Sequence, residues 1–446
     1  MQEFDVETPE SYLERKYREI SLINSCLARP FDLAQPQSVA AAIDQKFLVA
    51  AALKAERCLL SWKITETARP SAQYWKSGGF EFLYGYQRAD LSVRGPPIYK
   101  AISFPPMPVF QATTYTCSGM SALAAVLSAL SMVRGKVELL IPPDCYSETR
   151  ELLDRFSSIR LFVSENWRHL RQAYGVARVV LIDSSARSSF PPLLDRLARE
   201  ADLVLFDTTC LWQSSARIGR VLAWALQSGL PVALVRSHAK LDSLGIEYGR
   251  LGSVVMAAPL KDVRSGRLRW VESLGEQVRE SVRLLGVAPV LAHFPPFAGE
   301  EEFERCSIAR TAAIIRNNRR MTRRLATAFK DSRRITAYRH SLYFTLSPED
   351  DMRADDVKHL AAALCAELSR HGLPVRHSGS FGFDFTAADC FRDPLSGSNI
   401  IRVAASDIPV GLVDQVTDRI ACWWWLNGFS TKSSPAPVRR SSYAGG

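Results

Sequence analysis

The middle of the chain alternates short apolar runs with segments of helical periodicity. From about residue 111 onward, runs rich in Val, Leu and Ile are separated by stretches in which apolar residues recur every three or four positions. Apolar strands separated by amphipathic helices are typical of a mostly parallel sheet that is covered on both faces. We predict strands at 137–141, 160–163, 178–183, 202–207, 231–235 and 251–257, and helices at 121–133, 148–156, 192–200 and 221–228.

The two ends of the chain carry different patterns. Residues 1 to about 75 favour helix, whereas 76–110 is rich in Gly, Pro and aromatic residues and favours extended or looped chain. Beyond residue 300 the pattern predicts an α+β unit of its own. Its predicted elements are a long basic helix at 305–330, a strand at 341–346, a helix at 354–371, a polar loop at 375–398, a strand at 399–404 and a helix at 410–425.

These patterns divide the chain into four parts. We predict an N-terminal helical segment and arm at 1–110, a large α/β domain at 111–295, a smaller C-terminal α+β domain at 296–428 and a disordered low-complexity tail at 429–446. The length of 446 residues agrees with several domains, because one hydrophobic core rarely grows that large. The predicted fold is therefore an α/β, three-layer α/β/α arrangement with a smaller second domain.

Composition narrows the class of protein. The chain is 47% hydrophobic and 23% charged, and it has no run of about 18 uncharged apolar residues, so no membrane span is predicted. Its first residues are charged and unlike a secretory signal, so a cytoplasmic location is expected. Nine cysteines without a CxxC pair predict reduced thiols and no zinc site.

The net charge of +10 permits anionic partners. Its densest cluster, at 316–324, has a helical pattern and is interpreted as a solvated helix face. Nucleic-acid binding would usually bring interleaved aromatic residues or a known module, and neither is visible. We therefore expect anionic small molecules, rather than nucleic acid, as the partners of this charge.

Polar residues stand at a predicted helix start and at a predicted strand end, and ligands of parallel sheets bind at the carboxyl ends of the strands. Ser118 and Gly119 precede the helix at 121–133, where free backbone N–H groups favour an anion, although such residues are also ordinary helix caps. Asp207 closes the strand at 202–207. A buried carboxylate there needs a partner, which is either a ligand cation such as a protonated pyridine nitrogen or neighbouring loop amides.

Two cations stand in similar positions. Lys240 follows the strand at 231–235, where apolar or cationic surroundings would lower its pKa and make it nucleophilic, although a loop lysine is more commonly just solvated. Arg402 lies among apolar residues of the strand at 399–404 and needs an anionic partner. That partner is either a substrate carboxylate or an internal salt bridge.

Taken together, these motifs resemble the fold-type-I enzymes that depend on pyridoxal 5′-phosphate (PLP), and most closely the cystathionine γ-synthase/methionine γ-lyase family. The resemblance covers roughly residues 80–425. It rests on short motifs in register, which are Ser118-Gly119-Met120, Tyr146, Asp207-Thr208-Thr209, Ser237-His238-Ala239-Lys240, Ser380-Phe381-Gly382 and Arg402, with Tyr86-Gln87-Arg88 upstream.

The resemblance implies a role for each matching residue. Lys240 would hold PLP as a Schiff base, Tyr146 would stack on its ring, and Asp207 would pair with the ring nitrogen. Arg402, with Ser380 nearby, would bind the substrate carboxylate. The remaining implied cofactor ligands are Ser118, Gly119, Met120, Thr209 and Ser237 within the subunit, and Tyr86 and Arg88 reaching the phosphate of a neighbouring subunit. The family also implies a PLP-transferase-like fold and a homo-oligomer with a shared active site.

Three departures from the family pattern indicate a divergent member. The family's Asn-Pro after the strand at 178–183 is replaced here by Ser184-Ser185, and Arg187 is a candidate to take over the missing contact. The residues after Lys240 do not follow the family's Tyr-x-x-Gly-His. The N-terminal segment is also longer than usual.

The expected activity is γ- or β-elimination or replacement on a substituted amino acid, in specialised biosynthesis. Homoserine esters, sulfur amino acids and S-adenosylmethionine are the candidate substrates. Transamination, decarboxylation and aldol-type carbon–carbon bond formation use the same residues and stay open as alternatives. A PLP-fold binding protein without catalysis is a further alternative, which an intact Lys240, Asp207 and Arg402 disfavour.

Overall fold

A computed structural model provides the coordinates. It describes residues 7–65, 74–78, 80–84, 93–95, 97, 106–134, 137–163, 176–187, 195–260, 266–329, 334–348 and 351–427. Tyr86, Arg88 and the predicted tail at 429–446 lie outside the described residues.

Helices and strands alternate through most of this part of the chain. The helices are α1 Pro9–Ser25, α2 Val39–Thr65, α3 Gly119–Arg134, α4 Ser147–Leu153, α5 Asp195–Glu200, α6 Ala216–Gln227, α7 Gly266–Leu285, α8 Glu301–Ala328, α9 Ala354–Arg370 and α10 Val410–Asn427. The strands are β1 Tyr74–Ser77, β2 Phe80–Tyr84, β3 Val93–Arg94, β4 Val109–Thr116, β5 Val137–Ile141, β6 Ile159–Val163, β7 Ala177–Asp183, β8 Leu203–Asp207, β9 Val232–Ser237, β10 Gly252–Pro259, β11 Ile335–Ala337, β12 Tyr343–Leu346, β13 Val375–His377, β14 Thr386–Arg392 and β15 Asn399–Ala404.

A seven-stranded sheet forms the centre of the larger unit, with the strand order β4-β10-β9-β8-β7-β5-β6. Strands β9, β8, β7, β5 and β6 are parallel, and β10 runs antiparallel to both of its neighbours. Both faces are buried, which explains the continuous Val, Leu and Ile runs. Helices α3 and α7 cover one face, and α5 and α6 cover the other. The predicted three-layer α/β/α fold is confirmed.

The smaller C-terminal unit is a five-stranded sheet in the order β11-β12-β15-β14-β13, packed against α8, α9 and α10. The prediction of a polar loop at 375–398 was wrong for part of this range, because β13 and β14 lie within it. Strand β14 reads TAADCFR and has few β-branched or large apolar residues. Its pairing with β15 supplies the strand structure that its own side chains do not indicate.

The N-terminal helices are attached to the smaller C-terminal unit by buried charges. We use the name "ionic cluster" for seven side chains, all less than 9% exposed, which are Arg15, Lys16, Glu19, Lys46, Arg310, Asp384 and Asp407. Lys16 Nζ lies 2.6 Å from both Asp384 Oδ1 and Asp407 Oδ2, and Arg310 Nη1 lies 2.5 Å from Asp384 Oδ1. The cations occupy the space between the carboxylates, and each of the three carboxylates has at least three cations of the cluster within ion-pair distance.

The basic stretch at 316–324 is only partly a solvated face. Arg320 donates two hydrogen bonds, of 2.6 and 2.7 Å, to the carboxylate of Asp414 on α10. Arg324 similarly bonds Asp418 at 2.6 Å. Much of this positive charge therefore holds α8 against α10.

None of the helices within the described ranges is both long and apolar enough to cross a bilayer.

Candidate active site

Lys240 lies in the turn that follows β9, beside a cavity whose walls come from both sheets. Its ammonium group donates a hydrogen bond to Ser380 Oγ and lies 4.0 Å from Glu247 Oε1. Burial lowers the pKa of Lys240 from its ordinary value, and the positive charge of Arg402 acts in the same direction. A lysine in these surroundings is easier to obtain as the neutral, nucleophilic amine.

Buried polar groups hold the turn around Lys240 in place. Asp242 accepts hydrogen bonds of 2.6 and 2.5 Å from Arg236 and one of 2.9 Å from the Nδ1 of His238. The other ring nitrogen of His238 lies 2.9 Å from Ser253 Oγ. Arg236 also donates to the carbonyl oxygens of Thr208 and Leu211, each at 2.6 Å. His238 is thus a structural residue within the Ser-His-Ala-Lys motif.

Two carboxylates stand side by side at the carboxyl ends of β7 and β8. Asp183 and Asp207 are direct neighbours in the parallel register. Asp183 Oδ2 accepts the backbone N–H of Tyr146 at 2.7 Å, and its Oδ1 accepts that of Ser185 at 2.7 Å. Asp207 Oδ1 accepts only the N–H of Thr209, at 2.8 Å, among the backbone donors of the described chain. Asp183 is therefore engaged by the fold, whereas Asp207 retains capacity for a ligand.

Electrostatics distinguish Asp207 further. Burial raises the pKa of Asp207 to about 6, and the negative charge of Asp183 adds to that increase. A cation placed against Asp207 would remove this cost and favour its charged form. The residue is thus prepared for a positively charged partner.

The N-terminus of α3 forms a third side of the cavity. Ser118 caps this helix, because its Oγ accepts the N–H of Ser121 at 3.0 Å. A Cβ placed on Gly119 would lie 2.9 Å from the Cβ of Ser237, so only glycine lets the helix start approach the end of β9 so closely. Thr209 Oγ1 accepts the N–H of Ser237 at 3.1 Å and ties the β8 end to the same corner. Free N–H groups at such a helix start bind phosphates readily.

Arg402 lies in the middle of β15 with its guanidinium group between two aromatic rings. The group is 5.4 Å from the centre of Tyr343 and 5.1 Å from that of Phe391. It donates to the carbonyl oxygen of Gly379. Within the described residues it has no carboxylate at ion-pair distance, although it is only 7% exposed. The internal salt bridge considered for Arg402 is therefore not seen there, and a ligand carboxylate would satisfy it.

Tyr146 lies at the start of α4, next to Asp183. Burial raises the pKa of its hydroxyl, and the nearby carboxylate of Glu148 acts in the same direction. The tyrosine is consequently neutral across the physiological range.

These residues share one cavity of about 290 Å³. Among those expected from the sequence, it is lined by Ser118, Gly119, Met120, Tyr146, Asp207, Thr209, Ser237, Lys240, Ser380 and Arg402. The cavity is also lined by residues to which sequence reasoning assigned no role, which are Glu148, Asp183, Ser184, Ser185, Cys210, Tyr343, Gly379 and Phe381. Asp183 could have been found, since it closes a predicted strand just as Asp207 does.

Arg187 does not take the place suggested for it. Its guanidinium group pairs with Asp393, and its backbone N–H donates to Asp144 Oδ2 at 2.6 Å. It is not among the residues that line the cavity. The positive charge of Arg187 is thus used between the two units, and Ser184 and Ser185 line the wall instead.

Comparison with known proteins finds similarity in structure but not in sequence. No family model and no curated protein sequence matches the chain. The crystal structure of cystathionine gamma synthase from Xanthomonas oryzae pv. oryzae, in complex with cystathionine, has a TM-score of 0.51 at 14% identity and covers 84% of this chain and 98% of that one.

Two further solved structures are more distant in TM-score. A methionine gamma lyase from Micromonospora echinospora gives 0.49 at 16% identity, over 76% of this chain and 88% of that one. A tyrosine aminotransferase from Leishmania infantum gives 0.42 at 13% identity, over 69% and 73% respectively. Identities this low concern the fold alone. The chain has the fold of the fold-type-I PLP-dependent enzymes.

Proposed function

We propose that the protein is a PLP-dependent enzyme that acts on an amino acid, with Lys240 as the residue to which the cofactor is attached. The observation that supports this most is the convergence of Lys240, Asp207 and Arg402 on one cavity beside the N-terminus of α3. Within the described residues, Asp207 has no cation and Arg402 has no carboxylate at ion-pair distance, and PLP and an amino acid would supply these partners. A binding protein without catalysis would have no need of all three.

The residues fit PLP in both charge and space. The N-terminus of α3 at Ser118 and Gly119 suits the phosphate, and Ser237 lies against the same corner. Asp207 suits the ring nitrogen, because a pyridinium N–H would stabilise its charge. Met120, Tyr146 and Thr209 line the space between these points, and we assign ring stacking to Tyr146. When bound, PLP supplies an electron sink for negative charge at the substrate Cα.

Arg402 orients the substrate. Its planar guanidinium group can hold a carboxylate with two parallel hydrogen bonds, and the rings of Tyr343 and Phe391 restrict its tilt. Ser380 and Gly379 lie between Arg402 and Lys240, so a carboxylate on the arginine brings the Cα of the same molecule toward the lysine. The site therefore selects α-amino acids.

Lys240 moves the protons. Its lowered pKa makes the free amine available as a base for the Cα proton. The same amine, once protonated, can return that proton at Cβ or to a departing group. Ser380 Oγ accepts a hydrogen bond from the ammonium group, and the carboxylate of Glu247 lies 4.0 Å from it. Together they hold the ammonium group at the cavity wall.

Within this chemistry we propose γ- or β-elimination or replacement on a substituted amino acid. Homoserine esters, sulfur amino acids and S-adenosylmethionine are the candidate substrates, and specialised biosynthesis is the proposed setting. The support is the motif resemblance, carried by Ser118, Tyr146, Asp207, Lys240 and Arg402 in register. Transamination, decarboxylation and aldol-type chemistry remain the alternatives.

Cofactor attachment is tested by loading the purified protein with PLP, reducing it with borohydride and mapping the labelled peptide by mass spectrometry. We expect the label on Lys240 and its loss in Lys240→Ala. Lys358→Ala, which removes an exposed lysine of α9, is the matched control and keeps the label. A label that persists in Lys240→Ala refutes the assignment. Failure of wild type to bind PLP favours the binding protein.

The reaction is identified by product analysis. Elimination from a γ-substituted amino acid consumes one water and releases the leaving group, ammonia and a 2-oxo acid. Replacement releases the leaving group and forms a new substituted amino acid when a nucleophile is added. Release of carbon dioxide, or of a 2-oxo acid with the amino group retained on the cofactor, would instead establish decarboxylation or transamination.

We also propose that the enzyme is a homo-oligomer whose subunits share the site, with Tyr86 and Arg88 reaching the partner's phosphate. An oligomer would cover the outward side of α2, where Phe47, Leu48 and Trp62 are exposed. Mixing Arg88→Ala with Lys240→Ala after joint refolding tests this arrangement. Recovered activity supports a shared site. If light scattering shows that the two variants form mixed oligomers and these are still inactive, the shared site is contradicted.

A further inference from the structure

Lys46 of α2 connects the N-terminal helices to the turn that carries Lys240. Its ammonium group is buried in the ionic cluster, where it donates to Glu19 Oε2 at 2.5 Å and to Asp384 Oδ1 at 3.0 Å. A third hydrogen bond, of 2.5 Å, goes to the carbonyl oxygen of Leu244. Leu244 follows Lys240 by only a few residues, so one side chain spans from the cluster to the active-site turn.

That turn has backbone conformations that need support. Leu244 and Glu247 have φ values of +51° and +42°, a region that side chains other than glycine rarely adopt. Lys46 binds the carbonyl oxygen of Leu244, and Lys54, two helical turns further along α2, binds that of Ile246 at 2.9 Å. Glu247, which lies 4.0 Å from Lys240 Nζ, follows directly. Helix α2 thus holds the strained turn from outside.

The opposite wall of the cavity beside Lys240 is hydrogen-bonded to the same ionic cluster. Arg310 donates to Asp384 Oδ1 at 2.5 Å and to the carbonyl oxygen of Gly382 at 2.7 Å. Gly382 has a φ of +86°, and a Cβ on it would lie 3.2 Å from the carbonyl oxygen of Lys240. Ser380, two residues earlier, accepts the hydrogen bond from Lys240 Nζ. Lys46 bonds to one wall through Leu244 and to the other through Asp384.

We propose that Lys46 is a positioning residue for Lys240, which it serves by fixing the turn at 241–247 against the loop that carries Ser380. This inference rests on the proposed role of Lys240 as the cofactor lysine. The inference also connects two departures from the family pattern, which are the longer N-terminal segment and the different sequence after Lys240. The N-terminal segment supplies the side chain that supports the altered turn. The substrate does not need to touch Lys46.

Lys16 provides a matched comparison within the cluster. It is also 1% exposed, and it bonds Glu19 Oε2 at 3.0 Å and Asp384 Oδ1 at 2.6 Å. Its hydrogen bonds do not include the turn at 241–247, within the described part of the chain. Lys16→Met and Lys46→Met each remove one buried cation of the same type. Only Lys46→Met removes the hydrogen bond to Leu244.

The test is amide hydrogen exchange of the cofactor-free proteins under native conditions, with peptides from β7 as the internal reference. We expect exchange within 241–247 to be about three- to tenfold faster in Lys46→Met than in Lys16→Met, because local opening becomes easier. Lys46→Arg, which can still donate to Leu244, should restore much of the protection. Equal exchange in the two methionine variants would overturn the proposal.

Two further measurements separate this inference from the role of Lys240. In the PLP-loaded proteins, the fraction labelled at Lys240 after borohydride reduction should fall in Lys46→Met and not in Lys16→Met. Faster exchange with no labelling even of wild type would overturn the cofactor assignment while leaving the support of the turn intact. If Lys46→Met does not fold, Lys54→Met, which removes the hydrogen bond to Ile246, tests whether α2 holds the turn, and unchanged exchange at 241–247 contradicts the support by α2 on which the proposal rests.

Discussion

At the scale of single residues, Asp183 and Asp207 show how the same side chain in adjacent strands acquires different properties. Backbone donors from Tyr146 and Ser185 engage Asp183, while Asp207 has the N–H of Thr209. The difference arises from which loop follows each strand. Asp207 is the carboxylate that can respond to a ligand.

Asp207→Asn should therefore affect stability and activity in opposite directions. The folded-state pKa of Asp207, raised to about 6, means that the folded protein loses stability as the pH rises from about 4 through 6. Asn cannot ionise, so above pH 6 the cofactor-free variant should be more stable by about 1–3 kcal/mol, measured by urea unfolding. Turnover should fall by about 10²-fold or more, as for other lost electrostatic groups.

The gain in stability should disappear below about pH 4, where both proteins carry a neutral side chain at this position. A gain that is equal at pH 4 and pH 7 would show that ionisation of Asp207 is not its source.

Arg402→Lys is the sharpest test of substrate binding. Lysine keeps the charge but cannot form the two parallel hydrogen bonds of the guanidinium group. We expect kcat/KM for amino acids to fall about 30- to 1,000-fold, which corresponds to about 2–4 kcal/mol. The matched control is the corresponding amine without a carboxylate. Its residual rate of reaction should be the same with the variant as with wild type. An equal loss for both compounds would remove Arg402 from the role of carboxylate ligand.

At the scale of elements, the approach of α3 to the end of β9 depends on Gly119. Gly119→Ala would place a Cβ 2.9 Å from the Ser237 Cβ and 3.0 Å from its backbone nitrogen. Because the backbone must move, we expect a loss of about 1–3 kcal/mol in folding stability and weaker PLP binding. Equilibrium dialysis and thermal unfolding measure the two effects.

The control for this prediction is Gly219→Ala in α6, where a Cβ would have nothing within 4 Å. That change should stabilise the protein by up to about 1 kcal/mol through helix propensity. Comparable losses from both glycines would mean that close packing at Ser237 is not the cause.

The same scale shows what the sequence could and could not reveal. Strands β5, β7, β8 and β9 were predicted closely, because strands buried on both faces consist of apolar residues. Strand β14 was missed, since its residues are small or polar and its pairing with β15 is a long-range contact. Helix α7 was also missed, although its Val271, Leu274 and Val278 follow helical spacing.

The candidate site was predictable to a similar degree. Lys240, Asp207 and Arg402 stand at or within recognisable strands, so motif spacing could place them together. Glu148, Cys210 and Gly379 line the same cavity without a strand end or motif to mark them. The partner of Arg187 could not be predicted either, because Asp393 is 206 residues away in the sequence.

At the scale of the whole molecule, the ionic cluster joins three parts of the chain. Burial alone would raise the pKa of Asp384, but Arg310 and Lys16 more than offset this and hold it well below its ordinary range. The pKa of Asp407 is lowered by the same cations. Carboxylates of this kind stabilise the fold above about pH 4, and the contribution is lost as the pH falls.

Arg310→Met should consequently destabilise the protein by about 3–5 kcal/mol at pH 7, since it leaves buried carboxylates without their main cation. At pH 4 the difference from wild type should be smaller. The control on the same helix is Arg324→Met, which removes solvent-exposed pairs with Asp418 and Asp414 and should leave stability nearly unchanged. Urea unfolding midpoints of wild type and both variants, measured at pH 7 and pH 4, test this prediction. Equal losses of stability in Arg310→Met and Arg324→Met would contradict it.

The ionic cluster also sets an order in time. Arg15 and its partner Asp407 are separated by 392 residues, and all of these must leave the ribosome before that pair can form. During synthesis, helices α1 and α2 wait without the carboxylates of Asp384 and Asp407, and the apolar side chains of Val49 and Leu53, which are buried in the folded protein, stay uncovered. Segments in that state are the ones that chaperones bind and proteases cut. Helices α1 and α2 are therefore secured only after the residues around Asp384 and Asp407 have been made.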